Sequence, residues 1–115
     1  FAEIVQKCIP DGYSLVFKNT SEISCDLYYM DDAGEEIAIS EYYLENIDAT
    51  VVLDTEDSEK QAVVLNGQEV MVISKDNSYQ VAWINSGTQT MCAISGSNGM
   101  KDVVNNLVEK LISAS

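Results

Sequence analysis

Histidine is missing from this chain of 115 residues, proline occurs once, and acids outnumber bases 19 to 6. Each scarcity removes a class of chemistry. Without histidine, a structural zinc site of the usual kind is nearly excluded, and no imidazole is available to activate a cysteine as a nucleophile. Cys8, Cys25 and Cys92 are an odd set without CxxC spacing, so at most one internal disulfide can form. Cys8 and Cys25 are the candidate pair, and the sequence leaves open whether they are bridged. The net charge of −13 repels a phosphate backbone, which excludes nucleic acid as a partner, and repels an anionic membrane surface equally. It suits cationic partners, although a merely solvated acidic surface is the plainer reading. No apolar run approaches the roughly 20 residues of a membrane span. The chain begins at Phe1 rather than Met and shows no signal-peptide pattern, so it reads as a piece of a longer protein.

Further motifs are missing. "GSNG" is too short for a phosphate-binding loop and follows no GxGxxG pattern. "DTEDSE" lacks the central glycine and distal glutamate of an EF-hand, so Asp31-Asp32, Glu35-Glu36 and Asp54 to Glu59 read as solvated loops rather than calcium ligands. Acids abound, yet no spacing marks a pair of catalytic carboxylates in a cleft. No cofactor and no metal are called for.

What is present is an ordinary globular composition, 46% hydrophobic, in a length that suits one domain, residues 1–115. "FAEIVQKC" has the spacing of a short helical turn over residues 1–8, which Pro10 stops. The sheet is expected over about residues 13–95. A strand follows Asp11-Gly12, from Tyr13 to Phe17. In "ISCDLYYM" Ile23, Cys25, Leu27 and Tyr29 alternate with Ser24, Asp26, Tyr28 and Met30, the period of a half-buried strand. "EEIAISEYYL" returns after the "DDAG" turn, "ATVVL" reads as a further short strand, and "DTEDSEK" as a charged loop. "QAVVLNGQEVMVIS" is the clearest local signal: Asn66-Gly67 is the preferred pair for a type I′ hairpin turn between β-branched runs. Four consecutive apolar residues, Val70 to Ile73, predict a strand buried on both faces. "VAWINSGTQTMCAISG" reads as another hairpin, with Tyr79, Val81 and Trp83 on one side.

The period then changes. Met100, Val103, Val104, Leu107, Val108 and Leu111 form one apolar stripe, predicting a helix from about residue 99 to about 113, with Ser97 or Asn98 as cap and Asp102 in the first turn. A helix with one apolar face must bury it, and the sheet is the large partner available. The expected fold class is α+β: an antiparallel β-meander with the C-terminal amphipathic helix packed on one face.

Three patterns stand in order: "IPDGYSLV", then "VVLNGQEVMVI", then "VAWINSG…CAISG" before "MKDVVNNLVEKL". Their succession, from about Ile9 to Ile112, resembles the domain of unknown function 4367 family of extracytoplasmic parts of Gram-positive bacterial proteins. Met91 and Cys92 depart from it, standing where many members carry an aromatic, so the core there is expected to be repacked. The resemblance implies a secreted or membrane-tethered setting, with the tether in an N-terminal segment outside this chain. It implies no enzymatic activity; some members accompany anti-sigma-factor-like modules, which points to sensing or protein interaction.

The candidate contacts for a partner or ligand are Trp83, Tyr79, Tyr28 and Tyr43. Trp83 is read first as core, because it alternates with Val81 and Tyr79. The tyrosine pairs Tyr28-Tyr29 and Tyr42-Tyr43 each place one ring on either side of the sheet. Cys25 and Cys92 alternate with apolar strand residues and read as small buried hydrophobes. The reading is a non-enzymatic extracytoplasmic interaction or sensory domain whose partner is another protein. The alternative is a carrier of an apolar small ligand in a groove between sheet and helix. A hydrolase ranks last.

Overall fold

The first half of the chain makes three strands that run back and forth: β1 (Ser14–Thr20), exposed along its whole length, and β2 (Ser24–Met30) and β3 (Glu36–Tyr43), which alternate. A short helix, α1 (Ala2–Cys8), precedes them. The computed structural model describes residues 2–43, 59–75, 77–85 and 89–114. The second half supplies β4 (Glu59–Leu65), β5 (Gln68–Lys75), β6 (Ser78–Asn85) and β7 (Thr90–Ser97). A single 3-10 turn (Asn98–Met100) then leads into α2 (Lys101–Ala114).

Among the described residues the strands form one seven-stranded sheet in the order β1-β2-β3-β7-β6-β5-β4. Every neighbouring pair is antiparallel. The expected meander therefore comes as two meanders, β1 to β3 and β4 to β7, joined where β3 pairs with β7. That joint brings together residues far apart in sequence, such as Ile39 with Ile94 and Glu41 with Cys92. Asn66 and Gly67 take φ of +51° and +83°, the type I′ backbone whose twist matches the strands it joins. The hairpin register carries β4 back to Glu59 opposite Ser74, so Glu59 and Lys60, expected in a charged loop, belong to a strand. The "ATVVL" strand and the Ser86-Gly87 turn lie outside the described residues.

The helical stripe is buried as its period demands, through Val104, Leu107, Val108 and Leu111. With Met100, Val5 and Cys8 it covers one side of the sheet, where Leu27, Ile37, Ile39, Val70, Val81 and Ile94 complete a single core. The chain packs closely at Gly96, where a Cβ would lie in van der Waals contact, 3.4 Å from both Met100 Cβ and Val104 Cγ2. Ser97 precedes the 3-10 turn without a side-chain cap; its hydroxyl donates to Glu35 Oε2 at 3.4 Å instead. Asn66 reaches across to the end of α2, donating to the Glu109 carbonyl at 3.4 Å and to Ser113 Oγ. The hairpin turn and the last turn of the helix are thereby tied.

Val70 and Ile73, which point to opposite sides of β5, are both buried, as the apolar run predicts, but Met71 between them is exposed. Among the described residues no helix is long and apolar enough to cross a membrane.

Candidate functional site

The register sorts the four sequence candidates by side. Tyr79 and Trp83 face the helices, each only 6% exposed. The Tyr79 hydroxyl donates to Asn105 Oδ1 at 2.8 Å, and Lys101 Nζ lies 5.7 Å from the ring centroid. Both rings are scaffold, and the polar end of Tyr79 is satisfied by α2. Tyr43 is half-buried at the end of β3, on the helix-facing side; burial raises its hydroxyl pKa, with Glu41 and Cys25 adding to the effect. Tyr28 is half-buried on the opposite side, where its ring meets Phe17 at 5.5 Å, tilted by 58°. Tyr79 and Trp83 thus share a strand and a side, while Tyr28 and Tyr43 stand apart from them and from each other.

The cysteines follow their apolar neighbours inward. Cys8, Cys25 and Cys92 are all buried and free. Cys25 and Cys92 both pair with Glu41, one from β2 and one from β7. They are therefore two strands apart, roughly 10 Å, beyond disulfide reach. Burial, then the Glu41 charge, pushes the Cys92 thiol up to about 12, so it stays protonated and unreactive at neutral pH. Cys92 and its neighbour Met91 are buried where the sequence led us to expect a repacked core.

Glu41 itself escaped sequence reading. It lies in the row Trp83–Cys92–Glu41–Cys25, on the core side of β3, and burial raises its carboxyl pKa. The signal was there in "AISEYY": the third apolar-phase position after Ile37 and Ile39 carries an acid.

Exposed apolar groups gather at the two ends of the sheet: Leu15, Val16, Phe17 and Ile23 on and beside β1, and a second group on β4, β5 and β6 on the side away from the helices. Val64, Ile84 and Met71 are 68%, 50% and 40% exposed. Met71 pairs with Ala62 on β4 and Ala82 on β6, which places Val64 and Ile84, each two residues further along those strands, diagonally beside it. Deeper on this side Ile73, Ala82, Met91 and Ala93 are buried. On β2 and β3 this side carries polar groups, where Asp26 accepts from Ser40 Oγ at 2.7 Å and from Ser24 Oγ at 3.4 Å, before the Tyr28–Phe17 ring contact reaches β1. Sequence alternation marked Ile84 as opposite in phase to Trp83, but it could not show that the ring was inside and the isoleucine outside.

A groove of about 740 Å³ opens at the ends of α1 and α2, lined by Lys7, Cys8, Asn66, Asn106, Lys110 and Ser113 among others. It lies between the helices and the β4–β5 turn rather than between helix and sheet, and its walls mix ammonium, amide and hydroxyl groups. Among the described residues no group of three or more Cys, Asp or Glu side chains is placed to hold a metal ion. Asp31 is a turn former: its Oδ1 accepts from the Ala33 and Glu35 amides at 3.0 and 2.8 Å.

An antiparallel sheet covered on one side by a C-terminal helix, with apolar groups exposed on the other, defines an α+β domain of the kind the sequence led us to expect. The chain belongs to the family described as Domain of unknown function (DUF4367), which it matches over residues 3–111. No curated protein and no solved structure matches it.

Proposed function

We propose that this domain is a non-enzymatic extracytoplasmic interaction or sensory module of a larger, membrane-tethered bacterial protein, and that its partner is another protein. The observation that carries the reading is the exposed cluster of Val64, Met71 and Ile84 on the side of the sheet away from the helices. Large apolar side chains grouped on adjacent strands are the kind of surface a partner covers. The non-enzymatic part rests on the missing histidine and on a Cys92 thiol kept protonated by burial. The extracytoplasmic part rests on the setting in which the family occurs.

Cysteine labelling in intact cells tests both parts, because the three native thiols are buried and give little background. In the full-length parent protein, Asp32→Cys places a thiol on an exposed turn. A membrane-impermeant maleimide labels it in intact cells if the domain is extracytoplasmic; labelling only after lysis overturns that placement. Ile84→Cys is labelled in the purified domain and protected in cells if a partner covers this side. Equal labelling in both settings rejects the interaction reading.

A further inference from the structure

The two edges of the sheet are finished differently. β1 is interrupted: its pairing with β2 shifts at a bulge between Leu15 and Phe17. Lys18, opposite Leu27 on the helix-facing side, puts an exposed charge beside the core row. A bulge and an inward-side lysine are the devices by which an edge refuses another strand. β4 carries no interruption. Its seven residues, Glu59 to Leu65, pair with Ser74 to Gln68 in unbroken register, and among the described residues β4 has a neighbour on one side only.

The turn decides which groups on that edge are free. In a two-residue hairpin the flanking pair, here Leu65 and Gln68, is hydrogen-bonded to itself, and the bonds recur at every second residue. Val63 and Gln61 are therefore spent on β5, and the backbone N–H and C=O of Ala62 and Val64 point outwards. Ala62 and Val64 are both exposed, and Val64 leads directly onto the cluster with Met71 and Ile84.

We infer that β4 is a strand-addition edge: an extended segment of a partner protein pairs with it as an eighth strand. The segment's backbone bonds to Ala62 and Val64, its apolar side chains extend the Val64–Met71 cluster, and its other side chains are basic. The charge assignment follows from complementarity with the net −13, a field that draws in a basic strand and opposes a second copy of this chain. This deepens the interaction reading above and rests on it, supplying the docking mode and the chemistry of the partner.

The test uses three blocked seven-residue peptides matched to the length of β4. One alternates valine and lysine, one alternates valine and glutamate, and one repeats the lysine peptide with N-methyl groups on the bonding edge. With the lysine peptide, amide exchange at Ala62 and Val64 slows about ten-fold when nine-tenths of the domain is occupied, while Val63 and Leu65 change little. The methylated peptide does not bind, and the glutamate peptide binds at least ten-fold more weakly. Ala62→Pro, which removes an outward N–H and leaves the β5 ladder intact, abolishes the effect; should that variant fail to fold, the methylated peptide still decides. Binding by the methylated peptide, binding without protection at Ala62 and Val64, equal binding of the glutamate peptide, or no binding of the lysine peptide at millimolar concentration overturns the inference. The cellular labelling at residue 84 reads whether the surface has a partner at all, so the two readings fail separately.

Discussion

The two sides of the sheet are made from the same strands and carry different chemistry. On the helix-facing side β6 presents Tyr79, Val81 and Trp83, all buried, in rows that continue across β7 and β3. On the other side the same strand presents Gln80, Ala82 and Ile84, which pass from half-buried to buried to exposed within five positions. A helix supplies a continuous apolar stripe, so whatever faces it is buried as a block. The opposite side meets no such stripe among the described residues, and burial there varies residue by residue. Core and recognition surface are therefore separable in this domain, and mutations should sort by side rather than by strand.

The largest effect is expected where the helix-facing side is emptied. Trp83→Ala should cost about 3–5 kcal/mol and Leu107→Ala, across the interface, about 2–5 kcal/mol in denaturant melts. The native indole should also emit at short wavelength and resist acrylamide. A freely quenched Trp83 with near-neutral truncation would abolish the contrast between the sides. Next comes the contact at Gly96, where Met100 and Val104 already approach a Cβ position to 3.4 Å. Gly96→Val should overpack this contact and cost about 1–3 kcal/mol; a variant as stable as the parent would mean that α2 moves freely on the sheet.

Glu41 sharpens the comparison because it is an acid on the apolar side. Burial raises its folded pKa, so the folded state holds the proton more tightly than the unfolded chain does. Stability from this group is full below the ordinary carboxylate range and declines as pH rises through the raised folded value. Glu41→Gln should remove that decline, making the variant the more stable one at neutral pH by a margin that shrinks in acid. Melts of both proteins between about pH 4 and about pH 8 check it, and a margin that does not vary with pH would refute the assignment. The smallest effect belongs to the exposed cluster: Ile84→Ser and Val64→Ser should each change stability by no more than about 0.5 kcal/mol. A loss comparable to that of Leu107→Ala would show that this side, too, is core.

Repetition within a segment was legible from the residues themselves. The 3.6-residue stripe from Met100 to Leu111, the period-two alternation around Trp83 and the Asn66-Gly67 turn are local patterns. Each states its geometry within a dozen residues, because a helix face, a strand face and a positive-φ turn are properties of neighbouring positions. The α+β class and the packed helix follow from them. Only the tertiary structure decided that the strands form two meanders closed by β3 against β7. That ladder joins residues from Tyr43 and Thr90 to Ala38 and Ser95, about fifty positions apart, and nothing in either strand's own pattern names its partner. The same long-range pairing set Glu41 between Cys25 and Cys92 and, among the described residues, left an unbroken β4 at the far edge of the sheet. Which face meets the helix, and which edge stays open, depends on the order in which strands pair, and that order is a property of the assembled sheet.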